Sequence, residues 1–168
     1  MVGLLLVVSL ASFAQTDKSK RPSPPATVTQ TMGATNITLN YSQPSVKGRT
    51  IGVDLEPLPG KVWRAGANEA TVFEVDKDIL VEGKILPKGK YGFFILVKEE
   101  KWTVIFNKTW DQWGAFKYNE ADDVLRATVP DRKTATLSER LTYKVSADGA
   151  FNILWGDRDI VVHLQEKK

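Results

Sequence analysis

Apolar and polar residues alternate one by one along most of this chain, and this period of two is the feature that most constrains its fold. Ile37, Leu39 and Tyr41 alternate with polar neighbours, as a β-strand with one buried and one solvent-facing side requires. Similar segments recur to the C-terminus, and the best helical candidate, residues 119–124, is one or two turns at most. The pattern predicts an all-β chain, an antiparallel β-sandwich of jelly-roll type with about nine or ten short strands and little helix.

Two hairpins carry most of the detail in this prediction. Residues 91–97 and 102–107 are apolar and are separated by four charged residues, which a solvent-exposed turn tolerates, so we predict a hairpin there. Near the C-terminus, residues 151–155 and 160–164 flank the polar segment 156–159, and we predict two strands joined by a turn.

The first fourteen residues have the pattern of a signal peptide. Residues 2–14 carry no charge, and their apolar core is too short to span a bilayer as a mature helix. Ser12 and Ala14 place small side chains at the positions that a signal peptidase accommodates, so we predict a signal peptide over residues 1–14, cleaved before Gln15. A buried N-terminal strand or helix is the alternative. A signal peptide implies an exported protein, periplasmic or extracellular.

The remaining chain divides into two parts. Residues 15–25 combine basic side chains with three prolines and no large apolar side chain, which is typical of a flexible linker. Residues 26–168 are predicted to form a single β-sandwich domain, because a chain of this length buries roughly 68–70% of its unfolded surface and needs no disulfide.

Composition excludes several kinds of chemistry. With no cysteine and one histidine, the 168-residue chain has no disulfide, no thiol nucleophile and no cluster of cysteine or histidine ligands. Its formal net charge of +3 is too small for a nucleic-acid footprint. We therefore predict no metal, no cofactor, no nucleic-acid partner and no integral membrane protein, and the oligomeric state is left open.

Five segments of the sequence are far more informative about the protein family than the composition is. They are residues 41–49 (YSQPSVKGR), 60–71 (GKVWRAGANEAT), 86–91 (LPKGKY), 102–108 (WTVIFNK) and 110–114 (WDQWG). Together they closely resemble an exported bacterial family of unknown function, DUF2911, and the likeness extends from about residue 24 to residue 145. The resemblance implies a small exported all-β domain, and it implies no reaction.

The first candidate site is polar and comprises Lys47, Arg49, Arg64, Asn68 and Glu69. Arginine is a planar donor suited to carboxylate or phosphate, and a desolvated glutamate can act as a base, so an anionic or sugar ligand fits this set. If residues 64–71 were a strand, Asn68 and Glu69 would point to opposite faces, which argues against a joint catalytic role. The favoured alternative is structural, a buried ion pair in which Arg49 or Arg64 binds Glu69 and locks a loop.

The second candidate site is aromatic and comprises Trp110, Asp111, Gln112 and Trp113. Indole faces beside amide and carboxylate groups suit the faces and hydroxyls of sugar rings. Because tryptophan is mostly buried, the favoured alternative is that Trp110 or Trp113 plugs one end of the sandwich. Trp102 alternates in register with Val104 and is predicted to lie in the core.

Three functions are compatible with these patterns. The leading hypothesis is an exported, non-enzymatic β-sandwich that binds a glycan, a small anion or a partner through loops at one end, around residues 43–49, 64–69 and 110–118. The second is an enzyme acting on glycans or esters, with Glu69 as general acid or base and Arg64 as charge stabiliser. It lacks a visible second carboxylate, although the fold could bring Asp54, Glu56 or Asp111 near. The third is a structural envelope protein without a small ligand.

Overall fold

A computed structural model describes residues 17–168 and shows eleven β-strands and no α-helix in this range. The predicted all-β class is therefore confirmed. The signal peptide predicted over residues 1–14 lies outside the described residues. The strands are β1 (Pro25–Met32), β2 (Thr35–Ser42), β3 (Val62–Trp63), β4 (Thr71–Val75), β5 (Ile79–Val81), β6 (Lys84–Leu86), β7 (Gly89–Lys98), β8 (Lys101–Asn107), β9 (Asp123–Pro130), β10 (Lys133–Val145) and β11 (Ala150–Glu166).

The strands form two antiparallel sheets. The larger sheet has seven strands in the order β1-β2-β4-β7-β8-β9, with β3 paired to β7, and the smaller has four in the order β10-β11-β5-β6. Three pairs of neighbours in the larger sheet, β1-β2, β7-β8 and β8-β9, follow one another along the chain. Strand β3 lies between β2 and β4 in the sequence, and β5 and β6, which belong to the smaller sheet, lie between β4 and β7. The arrangement is sandwich-like, and the jelly-roll strand order is not confirmed.

Aromatic rings fill the space between the sheets. Phe73 and Phe93 of the larger sheet pack against Tyr143 and Phe151 of the smaller one, with ring centroids 5.4–6.0 Å apart. Phe106 extends this cluster within the larger sheet, 5.0 Å from Phe73 and 5.4 Å from Phe93. Tilted and edge-on arrangements of this kind add about 0.5–1.5 kcal/mol per pair to the gain from burial. The core predictions for β2 and for Trp102 are confirmed, because Ile37, Leu39 and Trp102 are all buried.

The hairpin predicted between residues 91–97 and 102–107 is confirmed as β7 and β8, which turn at Glu99 and Glu100. Residues 91–95 of β7 are all buried, instead of alternating, because both faces of the sheet are covered there. On the outer face, Phe94 and Ile105 form a second apolar cluster, which Ala115 and Tyr118 cover. The loop that contains the WDQWG segment is therefore folded against the outside of the larger sheet.

The turn predicted for residues 156–159 is wrong, because β11 runs through this segment as one long strand. Gly156 has a positive φ of 55°, and the pairing with β10 shifts register on either side of it. These are the signs of a β-bulge, which bends a strand without reversing it. In this bulge Gly156 is buried and Asp157 is exposed, and the polar sequence pattern of such a bulge is the same as that of a turn. The helical candidate 119–124 is a single 3-10 turn at Glu120–Asp122.

Candidate functional site

Residues 64–70 form a loop on which both candidate sites meet. Ala65 and Asn68 have positive φ angles of 53° and 59°, so the strand considered for residues 64–71 begins only at Thr71. The Ala70 N–H donates to the Gln112 carbonyl, and Glu69 forms an isolated β-bridge with Trp113. The polar and aromatic segments are thus neighbours in space.

Glu69 binds the N-terminal segment. Its carboxylate accepts two hydrogen bonds from Arg21 Nη1, at 2.8 and 3.1 Å, and lies 3.0 Å from Lys18 Nζ. Beside it, Asn68 Nδ2 donates to the Ser23 carbonyl at 3.0 Å. We call these five residues the N-terminal latch. Three of them belong to the segment expected to be a linker.

The favoured structural alternative for Glu69 named the wrong partner. It paired Glu69 with Arg49 or Arg64, whereas the latch pairs it with Arg21 and Lys18. Partial burial acts to raise the pKa of Glu69, but hydrogen bonds from its own backbone N–H, from Lys18 and from Arg21 outweigh burial and lower the pKa to about 2. Such a carboxylate holds no proton near neutral pH and is a weak base. The geometry therefore gives no support to Glu69 as a general acid or base.

Arg49 and Arg64 are brought together in an open cleft of about 380 Å³, which we call the Arg64 cleft. Asp54 and Glu56 also line it, and Ser23 of the latch contributes to its wall. Of the five polar candidates, therefore, the fold assigns two to the cleft and two to the latch. Lys47 belongs to neither, since its side chain is exposed and its backbone N–H donates to Glu139.

Two tryptophans also line the Arg64 cleft, and both are held in place by hydrogen bonds. Trp63 Nε1 donates to the Gly66 carbonyl at 3.0 Å, and Trp155 Nε1 donates to the Glu56 carbonyl at 2.7 Å. The two indoles stack with centroids 6.3 Å apart. Because Trp63 belongs to the larger sheet and Trp155 to the smaller one, the sandwich itself positions this part of the cleft.

Within residues 17–168, Arg64 has no partner for its charge. Its Nε is buried without a hydrogen-bond partner among the described residues, and Arg64 takes part in none of the ion pairs found in residues 17–168. Burial lowers the pKa of Arg64, and the charge of Glu56 opposes that shift. An arginine nevertheless stays protonated in a protein. The cleft therefore contains a half-buried, unpaired positive charge.

Other partly buried arginines of the described chain are paired. Arg21 lies 2.8 Å from Glu69, Arg126 lies 2.6 Å from Asp123, and Arg158 lies 2.8 Å from Asp131. Arg49 is occupied in part, because its Nε and Nη2 donate to the Val46 and Ser45 carbonyls. Arg64 thus differs from these arginines, because within residues 17–168 its side chain has neither an ion pair nor a hydrogen bond.

The WDQWG segment does not plug the sandwich, so that prediction is wrong. Trp110 is 36% exposed and Trp113 is 51% exposed, because the loop lies along the outside of the larger sheet. Cations cover part of each indole: Lys90 Nζ lies 4.0 Å from the Trp110 ring centroid, and the Arg21 guanidinium lies 5.8 Å from that of Trp113. These contacts attach the loop to its surroundings.

The two polar residues of that segment differ from each other. Gln112 is buried, its Nε2 donates to the Thr109 carbonyl, and its Oε1 accepts from the Lys117 N–H. Its amide therefore holds the loop together and is not available to a ligand. Asp111 is exposed.

The family described as "Protein of unknown function (DUF2911)" matches residues 23–164 of the chain. The chain belongs to the DUF2911 family. The resemblance stated from the motifs is thereby confirmed. The chain matches no curated protein and no solved structure at a significant level. Within residues 17–168 of this DUF2911 protein, no group of three or more histidine, aspartate or glutamate residues could hold a metal ion, and no helix is long and apolar enough to cross a membrane.

Sequence reasoning missed several residues that build the site of this DUF2911 protein. Arg21 and Ser23 stand in a segment that reads as a linker, and nothing local ties them to residues 68–69. Trp63 and Trp155 read as ordinary strand residues. The one available signal was the acidic pair Asp54 and Glu56, close in the sequence to Arg49 and Arg64.

Proposed function

We propose that this DUF2911 protein is an exported binding protein whose Arg64 cleft takes a small ligand with a carboxylate group. The signal-peptide pattern of residues 1–14 supports export. The observation that carries the binding proposal is the half-buried Arg64 guanidinium, which lacks a protein partner among residues 17–168 while other partly buried arginines have one.

The free energy of an unpaired buried donor favours a ligand at this point. Burying a polar group without a partner costs about 1–3 kcal/mol, and more for a charged group. A ligand carboxylate compensates the charge of the guanidinium as a whole, because guanidinium and carboxylate form two parallel charge-assisted hydrogen bonds. Arg49 lines the same cleft and supplies a second positive charge.

The rest of the cleft suits a small ligand. Its volume of about 380 Å³ is near the lower end of the range of roughly 300–1,000 Å³ seen for small-molecule pockets. The hydrogen bonds of Trp63 and Trp155 fix its aromatic part before any ligand arrives, and such preorganisation reduces the entropic cost of binding. A monosaccharide acid or a short carboxylic acid has the right size.

Isothermal titration of the full chain with paired probes tests the proposal. Glucuronate and hexanoate carry the carboxylate, and glucose and hexanamide are their neutral counterparts. We expect at least one carboxylate to bind and its neutral counterpart not to bind. Arg64→Gln should weaken that binding by at least about tenfold, because two charge-assisted hydrogen bonds are lost.

Lys47→Gln is the matched control, since it removes the same charge from an exposed position that does not line the cleft. It should leave the affinity within about twofold, as expected for an exposed charge in salt. Neutral probes that bind as tightly as the carboxylates, or a carboxylate affinity that Arg64→Gln leaves unchanged, would contradict the proposal.

A further inference from the structure

The Arg64 cleft contains negative as well as positive charges. Asp54 and Glu56 line it together with Arg49 and Arg64, so that its ionisable groups carry two charges of each sign. A site that recognises a simple anion gains nothing from carboxylates, which repel the ligand. The acids therefore need their own explanation.

Each of these carboxylates is held by a backbone N–H and leaves one oxygen free. Asp54 Oδ1 accepts from the Thr50 N–H at 2.6 Å, and Glu56 Oε2 accepts from the Leu58 N–H at 2.7 Å. Within the described residues, neither acid takes part in an ion pair, and no hydrogen bond uses Asp54 Oδ2 or Glu56 Oε1. The local backbone thus fixes both acids, and each keeps the capacity to accept from a ligand.

Glu56 and Arg64 act on each other without meeting. The charge of Glu56 raises the pKa of Arg64 against the effect of burial, so the two groups are close enough to interact. They do not approach within the 4.0 Å of an ion pair. The cleft therefore presents a positive pole and a negative pole that are separate, and an unliganded protein satisfies neither of them fully.

We infer that the ligand of the Arg64 cleft is a zwitterion of the size of a free amino acid, with its carboxylate on Arg64 and its ammonium group facing Glu56 and Asp54. This inference rests on the proposed function and adds the second charge of the ligand. A molecule with both charges pairs with both poles at once, and each charge-assisted hydrogen bond is roughly twice as strong as a neutral one. The acids then weaken the binding of simple anions relative to that of the zwitterion.

Three probes with the same carbon chain separate the two charges. Norleucine carries a carboxylate and an ammonium group, hexanoate lacks the ammonium group, and pentylamine lacks the carboxylate. In isothermal titration of the full chain at neutral pH, we expect norleucine to bind at least about tenfold more tightly than hexanoate. We expect no binding of pentylamine.

Two variants test which residues recognise the ammonium group of the ligand. Glu56→Gln keeps an oxygen that accepts from the Leu58 N–H but removes the charge, so we expect the preference for norleucine over hexanoate to shrink by about tenfold while hexanoate binds at least as tightly as before. Glu74→Gln is the matched control, since Glu74 is exposed on β4 and does not line the cleft, and it should keep the preference. Thermal unfolding of each variant checks that the fold is retained.

The outcomes distinguish the inference from the proposed function. If hexanoate binds as tightly as norleucine and Arg64→Gln weakens both, the inference is overturned and the proposed function stands. If norleucine is preferred but neither Glu56→Gln nor Asp54→Asn changes that preference, the inference is likewise overturned. If neither norleucine nor any carboxylate probe binds in a way that depends on Arg64, both fail.

Discussion

Arg21 contacts the short loop of residues 64–70 and Arg64 is the first residue of that loop, yet only the charge of Arg21 is compensated within residues 17–168. Arg21 donates two hydrogen bonds to Glu69 and lies against Trp113, so its charge is compensated within the protein. Arg64 lies five positions before Glu69 in the sequence, yet Glu69 points to the N-terminal segment instead. The carboxylate of Glu69, although close to Arg64 in the sequence, thus stabilises the N-terminal segment. The guanidinium of Arg64 in the cleft is left to pair with a ligand.

The difference between Arg21 and Arg64 shows two roles of arginine, one in stabilising the fold and one in binding a ligand. A paired arginine stabilises the fold modestly, because the gain from pairing is offset by lost hydration. An unpaired arginine destabilises the free protein, and a ligand that pairs with it gains binding free energy from neutralising its charge. Supplying Arg64 with a partner, or removing each charge in turn, therefore tests the comparison directly.

The largest effect is expected from giving Arg64 a partner of its own. A Cβ on Gly114 would lie 3.1 Å from Arg64 Nη1, and φ there is 62°, a conformation that aspartate and asparagine tolerate better than most residues. Gly114→Asp should pair with Arg64 and weaken carboxylate binding by at least about tenfold, because the ligand must then displace an internal ion pair. Isothermal titration with norleucine and hexanoate measures this loss.

Gly114→Asn is the matched control for that substitution. It introduces the same strain and nearly the same volume without a charge, so it should bind the probes more tightly than Gly114→Asp. Equal affinities of the two variants would mean that the charge of Arg64 does not hold the ligand.

A smaller effect is expected on stability without ligand. Arg64→Met removes an unpaired charge and keeps an apolar stem, so the free energy of unfolding should stay the same or rise by up to about 1 kcal/mol. Arg21→Met removes one side of a partly exposed pair and should lower it by about 0.2–1 kcal/mol. Chemical denaturation of both variants measures the sign and size of each change in the free energy of unfolding. A loss on Arg64→Met as large as that on Arg21→Met would show that Arg64 is paired after all.

The smallest effect is expected from acid. The pKa of Glu69 is lowered from its ordinary value of 4.5 to about 2 in the folded protein, so the latch stabilises fully above pH 4.5 and loses its contribution as the pH falls through about 2. The indole N–H resonance of Trp113, beside Arg21, should therefore be steady from neutral pH to about pH 4 and shift only below it. Glu69→Gln should abolish this acid-dependent shift. A transition near pH 4.5 in the unsubstituted protein would contradict the latch.

The fold could be predicted from the sequence where each decision is local. Alternation at Ile37 and Leu39 determines which side of β2 is buried, and four charged residues between two apolar runs determine the turn between β7 and β8. The sequence pattern does not distinguish the bulge at Gly156 from a turn, because a glycine with a positive φ among polar neighbours is common to one kind of bulge and to several kinds of turn. The pairing of β11 with β10 decides between a bulge and a turn, and a local sequence pattern does not contain information about that pairing.

The site was predictable only as a set of residues. Arg49 and Arg64 were identified by their type, and the fold brings both to one cleft. The partner of Glu69 was not predictable, because Arg21 is 48 positions away and three strands, β1 to β3, separate the two segments. The exposure of Trp113 was not predictable either, since it depends on the loop folding over the outer face of the larger sheet.

The stacked indoles of Trp63 and Trp155 make the cleft optically observable. At a centroid separation of 6.3 Å and an interplanar angle of 21°, the electronic transitions of the two chromophores couple. Such coupling gives a near-ultraviolet circular dichroism band that is sensitive to small rotations of either ring. Since one indole is anchored in each sheet, this band reports the relative orientation of the two sheets when a ligand binds in the cleft, and no label is needed.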